Sequence, residues 1–115
     1  MTITQSHQLP ELLNKVHDHW FNVERLALDK ERKVVAIHLE EKKSSLGKGS
    51  KDGITLLIRN AEALAINDTE RVRDYDLSEI KYDLQSGRLI ITGGVPITIE
   101  VKVTSLSIET GTLPV

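Results

Sequence analysis

Cysteine is missing from all 115 residues. Its absence removes disulfides, thiolate catalysis and Cys-ligated zinc, and it fits a reducing compartment. Aromatic residues make up only 3% of the chain: Trp20, Phe21, Tyr75 and Tyr82. Sugar-binding modules and single-strand nucleic-acid binders stack their ligands on aromatic platforms, so both classes are disfavoured. Charge of one sign is also lacking. Fifteen Lys and Arg stand against 17 Asp and Glu, a formal −2, which gives no general attraction to nucleic acid or anionic lipid. No apolar run approaches the roughly 20 residues that span a bilayer. The opening MTITQSHQLPELL has no basic stretch ahead of an apolar one, so no signal peptide is expected. A bacterial-type cytoplasmic domain is the expectation, with no membrane or nucleic-acid partner.

What is present is pattern. Hydrophobic residues at 39% and charged residues at 28% are ordinary for one globular domain. Leu9, Leu12, Leu13, Val16 and Trp20 form one helical stripe, and Pro10 suits a first turn. The spacing predicts a helix from about Pro10 to His17, with Ser6 as a cap and Trp20 closing the buried stripe. The period then changes to two. Leu26 and Leu28, then Val35, Ile37 and Leu39, predict a hairpin with one buried face. Ile54, Leu56 and Ile58 form a further strand, and Asn60 marks a register break by a bulge or tight turn. Leu89 and Ile91 follow a turn at 83–87, and Val95 to Val103 is the clearest alternating run.

Two hairpins share a faint pattern. VERLALDKERKVVAI (23–37) and LSEIKYDLQSGRLII (77–91) superpose with Asp29 on Asp83. An internal duplication and two unrelated hairpins with similar turns both fit this likeness. The expected fold is mainly β: an antiparallel sandwich or open barrel of about six to eight short strands, with one N-terminal amphipathic helix. A single curved sheet packed on the helix is the alternative. Residues 1–8 are expected to be a flexible N-terminus, 9–109 one β-rich domain and 110–115 a flexible tail.

Motifs that carry chemistry are few. His17 and His19 flank Asp18 in VHDHWFN, and two imidazoles two apart on a strand point to one side as metal ligands. Glu24 follows at a spacing like that of the first cupin motif, and His38 is a third candidate ligand. The glycines that bracket the cupin motif are replaced by Glu11 and Glu31, and no His follows Pro96 at the second motif. If the helix continues through His19, the two histidines lie about 200° apart around its axis and share no ion. The expectation is therefore no metal and no cofactor, with His17, His19, Glu24 and His38 as the residues to watch.

The loop SLGKGSKDG places Gly47, Lys48, Gly49, Ser50 and Lys51 together, but it lacks the spacing of a Walker A or dinucleotide fingerprint. Lys42, Lys43, Lys48 and Lys51 make a small basic patch in a solvated loop. Asp74-Tyr75-Asp76 imitates the start of an EF-hand, yet Glu79 stands at the glycine position and Gln85 at the bidentate acid. There is no G-x-S-x-G and no H-E-x-x-H, and Glu40 and Glu41 sit beside lysines. No catalytic residue is expected, and the chain is read as no enzyme.

One arrangement does resemble a known group. An early His-Asp (His17, Asp18) opens a hairpin, a strand of the form L-x-I-x-N-x-x-x-L follows (Leu56, Ile58, Asn60, Leu64), and a late strand is of I-x-I type (Ile97, Ile99). Across roughly 17 to 108 this resembles small bacterial β-rich proteins of largely unknown function, some of them grouped as toxin-immunity proteins of the immunity-protein-50 type. The resemblance implies binding in place of catalysis. The leading expectation is a non-enzymatic interaction module with an unknown protein partner. The alternatives are a small-molecule or metal-binding β domain using His17 and His19, and a structural homo-oligomer, a dimer included, that pairs through an edge strand at 95–103.

Overall fold

The apolar alternation folds into short antiparallel strands in three sheets, with one helix beside them. The computed structural model describes residues 1–46 and 53–111. In chain order these are β1 (Thr2–Ile3), α1 (Leu9–Val16), β2 (Trp20–Asn22), β3 (Leu28–Asp29), β4 (Val34–Leu39), β5 (Ile54–Ile58), β6 (Ala61–Asn67), β7 (Asp74–Asp76), β8 (Glu79–Asp83), β9 (Arg88–Thr92), β10 (Thr98–Val103) and β11 (Ile108–Gly111). One sheet has the order β1-β11-β5-β4-β3, a second β6-β10-β9-β8, and β2 pairs with β7 alone. The mainly β class with one N-terminal helix is thus as expected. The number of strands is higher, because two-residue and three-residue segments also find ladder partners.

Helix α1 buries Leu9, Leu12 and Val16 with Pro10 in its first turn. Ser6 does not cap α1: it opens a single 3-10 turn at Ser6–Gln8, which the Gln8 Oε1 braces by accepting from the Thr4 and Gln5 N–H groups at 2.9 and 3.0 Å, and α1 starts without a side-chain cap. The helix ends one residue earlier than expected. His17 turns extended, and Asp18 takes a left-handed conformation at φ 64°. Because the chain is extended beyond that point, alternation puts Phe21 into the core and leaves Trp20 half-buried. The expectation that Trp20 completes the buried stripe is corrected: the helical period does not reach it.

The N-terminal residues take part in the sheet. Ile3 is 1% exposed, and β1 pairs with β11 through Thr2↔Glu109 and Ile3↔Ile108. The edge of β11 offers unpaired backbone groups, and β1 satisfies them. At the other terminus β11 extends to Gly111, inside the stretch read as tail. The run at 95–103 is not an edge. Strand β10 lies between β6 and β9, which corrects the expectation of oligomerisation through it, since both its ladder sides are already bonded.

The second copy of the hairpin pattern extends through the whole fold. Position n of the first half corresponds to n + 54 from β2 to β4, as Phe21 to Tyr75 and Asp29 to Asp83, and the longer connection before β5 lowers the offset to 43 in the next strand, as Ile58 to Val101. Hairpins β3–β4 and β8–β9 both close on four-residue turns. In each the Asp side chain caps the turn (Asp29 Oδ1 to Glu31 and Arg32 N–H, Asp83 Oδ1 to Gln85 N–H). Each turn ends on a left-handed residue, Lys33 at φ 56° and Gly87 at φ 68°. The β2–β7 ladder maps onto itself: Trp20 pairs with Asp76 and Asn22 with Asp74. Its flanking bonds are also counterparts, Leu77 N–H to the His19 carbonyl at 2.8 Å and Val23 N–H to the Arg73 carbonyl at 2.9 Å. The last strand of each half crosses over, β6 onto β10 and β11 onto β5. The molecule is an internal pseudo-twofold with exchanged strands.

The crossing points hold each other. Asn60, left-handed at φ 57°, is where the chain leaves one sheet for the other. Its carbonyl accepts from Thr104 N–H at 3.0 Å, and its Nδ2 donates to Ser105 Oγ at 2.9 Å. Between the sheets lies one continuous core, fed by Val35, Ile37, Leu56 and Ile58 from one side and Leu89, Ile91, Ile99 and Val101 from the other. Phe21 and Tyr75 stack at its centre, ring centroids 6.2 Å apart.

Candidate functional site

The fold gathers one buried polar cluster that the spacing of motifs did not single out. On β4, His38 and the following Glu40 share a strand face because residues two apart point the same way. His38 Nε2 lies 2.7 Å from Glu40 Oε1, and its Nδ1 lies 3.2 Å from Thr55 Oγ1. His38 and Thr55 are ladder partners across β4 and β5. Glu40 is 1% exposed and His38 24%. A buried carboxylate needs such a partner, since desolvating it alone is costly. Gly53 closes the cluster, because a Cβ there would sit 2.7 Å from His38 Cε1 and 2.9 Å from Glu40 Oε1.

With the proton on Nε2, facing the carboxylate, Nδ1 is free to accept from the Thr55 hydroxyl. This is the order of a hydroxyl–imidazole–carboxylate relay. Thr55 is buried, and its bond to His38 runs from one strand to the next. The cluster therefore works as a clamp between β4 and β5. Its signal was legible as His-x-Glu on an alternating strand; by that alternation Glu40 falls on the face opposite Val35, Ile37 and Leu39, yet it is enclosed where its backbone pairs with Trp20 in both directions at 2.7 and 2.9 Å.

That pairing places the clamp next to a surface cleft. The Lys43 ammonium lies over the Trp20 ring, 5.4 Å from its centroid. Beyond it opens a cleft of about 460 Å³ lined by Lys43, Val72, Arg73, Asp74 and Val95. Arg73 is engaged with Asp74, Nε to Oδ1 at 3.1 Å and Nη2 to Oδ2 at 3.3 Å. The carboxylate holds the guanidinium pKa above its ordinary value through that hydrogen bond and its charge. Val72, 44% exposed, is one of the few large apolar side chains left to solvent. The cleft offers two aliphatic side chains, Val72 and Val95, and Lys43 as a cation beyond the internal Arg73–Asp74 pair, with Trp20 next to it under Lys43.

The residues read as metal candidates are not brought together. His17 Nδ1 faces its neighbour Asp18 at 3.2 Å, and His19 Nδ1 lies 3.3 Å from the His17 carbonyl. The Glu24 backbone is held by Asn22 Oδ1 at 2.9 Å, and His38 belongs to the clamp. Among the described residues no three His, Asp or Glu side chains are placed to hold a metal ion. The helix does not continue through His19: His17 is its C-cap, and Asp18 is left-handed at φ 64°. In the calcium-like stretch Tyr75 is buried, and Asp76 Oδ1 accepts from Val95 N–H at 2.8 Å. The glycine-rich segment with Gly47, Lys48, Gly49, Ser50 and Lys51 lies outside the described residues.

Compared with known proteins, the chain matches no family model, no curated protein and no solved structure. No helix of the described residues is long and apolar enough to cross a membrane.

Proposed function

We propose that this chain is a non-enzymatic binding module, immunity-like in the sense of the resemblance above, which recognises a protein partner through the cleft beside Trp20. The observation that carries this reading is where the two halves differ. They agree in core positions and turns, but on one side the first half has Trp20 and Glu40 where the second has Asp74 and Gly94, and it adds Lys43 in the longer connection after β4. The scaffold is built without those residues in its second half, so their presence in the first is an addition. A half-buried Trp flanked by Arg, Lys and exposed Val has the composition of an interface centre.

A photo-crosslinking amino acid at Val72, introduced in the native cell, tests this. One discrete protein adduct is expected there and none at Gln85, on the far turn of β8–β9. Trp20→Ala should weaken the adduct at least tenfold, the effect of losing an anchor worth about 1.4 kcal/mol or more. The same adducts at both positions, or none, would sink the proposal. So would a stoichiometric small ligand that co-purifies in the cleft.

A further inference from the structure

The pseudo-twofold exposes an inequality between its two exchanged strands. The outer edge of β11 is covered by β1, through Thr2↔Glu109 and Ile3↔Ile108. The outer edge of β6, its counterpart, carries no strand among the described residues, although β3 and β4 approach it. Apart from Ala61, whose N–H donates to the Lys33 carbonyl at 2.9 Å, β6 has no backbone partner but β10 among the described residues. The other edges of the two large sheets are guarded. Strands β1 and β3 have two residues each, while β8 carries Glu79, Lys81 and Asp83 and lies alongside α1. Strand β6 is seven residues long, AEALAIN, without Lys, Arg or Pro, and its one charge, Glu62, sits at the bulge opposite Lys102 and Val103. Ile66 on it is 37% exposed. A long, nearly uncharged edge invites strand addition.

We propose that β6 pairs antiparallel with β6 of a second copy of this chain, about a twofold axis at Leu64. Charge selects both the occupant and the register. Within one chain Lys102 lies beside Ala63 and Glu100 beside Ala65. With the axis at Leu64, Ala63 faces the partner's Ala65, so one cross-strand row reads Lys102, Ala63, the partner's Ala65, the partner's Glu100. The symmetric row carries the opposite order. Strand spacing puts the two charged residues about 14 Å apart at Cα, which a lysine and a glutamate reaching over alanines bridge. An axis at Ala63 would set Lys102 against itself, and an axis at Ala65 would set Glu100 against itself. Only the Leu64 axis, of these three, makes the surface self-complementary, as a twofold contact requires. Glu62 then lies opposite the partner's Ile66, with no like charge facing it.

The chain has no cysteine, so introduced thiols report the register cleanly. Sedimentation of the unmodified protein from about 1 to about 100 μM, the range of a weak transient contact, should show the mean mass rising towards twice that of the single chain. An oxidised equimolar mixture of Ala63→Cys and Ala65→Cys chains should crosslink mostly between unlike chains, at least tenfold above either variant alone. Both positions are exposed, and each variant should melt as the parent does. A monomer throughout the range overturns the proposal. A dimer that crosslinks through like positions, or through neither, overturns it as well.

Discussion

The first half of this molecule and the second half solve one packing problem with different side chains. Phe21 and Tyr75 occupy equivalent places in the central ladder and stack on each other. Phe21 is wholly apolar, whereas the Tyr75 hydroxyl is buried with no hydrogen-bond partner among the described residues. Lys33 and Gly87 end equivalent turns in the same left-handed conformation, one residue strained there and the other at ease. Apolar identity is interchangeable between the halves where burial is complete. Polar identity is not, and it decides which surface is bare, clamped or paired.

The comparison breaks most severely at the centre. Phe21→Ala should cost about 3–5 kcal/mol in urea unfolding, because the cavity opens against Tyr75 on the pseudo-axis and neither half can close over it. A loss under about 1 kcal/mol would mean that the ladder is not where the halves join. The turns come next. Gly87→Ala should cost at least about 1–2 kcal/mol from the left-handed backbone, and its Cβ would meet the Val103 carbonyl at 2.9 Å. The reciprocal change Lys33→Gly should instead be neutral or stabilising by about 0.5–1 kcal/mol. A loss at Lys33→Gly as large as that at Gly87→Ala would show that the turns are not equivalent.

Smaller still, Tyr75→Phe makes the central pair alike. It removes a hydroxyl whose burial without a partner carries a penalty of about 1–3 kcal/mol, so a rise in stability of up to about 1 kcal/mol is expected by the same unfolding measurement. A clear loss would reveal a partner for that hydroxyl.

The smallest effect is electrostatic and joins the halves through β5 and β11. Arg59 Nη2 donates to Glu109 Oε2 at 2.9 Å, with Nε 2.9 Å from the other oxygen. That hydrogen bond holds the Glu109 carboxyl below its ordinary value. A depressed folded value stabilises above the unfolded value and loses that contribution as pH falls through the folded one. Melting temperatures of the parent and Glu109→Gln should therefore differ at neutral pH and converge on acidification below about pH 4. A gap that widens in acid would reverse the assignment.

Much of the β architecture was legible because burial on one face imposes a period of two. Val35, Ile37 and Leu39 face the core as their alternation requires, and so do Leu89, Ile91, Ile99 and Val101. Asn60 was legible as a break in that period, and it is where the chain changes sheet. The candidate site was less so. His17 and His19 attract attention by adjacency, which says nothing about direction once a single left-handed residue stands between them. His38 and Glu40 show the more informative spacing, but Thr55 and Gly53 complete the cluster only through the β4–β5 ladder.

By itself the sequence determined the class, the faces and the turns, because periodicity, charged breaks and left-handed positions are local properties that each segment carries alone. The tertiary structure alone decided that β6 and β11 exchange between halves, that β10 is central while β6 is an edge, and that Glu40 is buried. Those outcomes depend on which strand finds which ladder partner. Backbone groups are alike from residue to residue, so partner choice is set by the closure of the whole core and is written in no single segment.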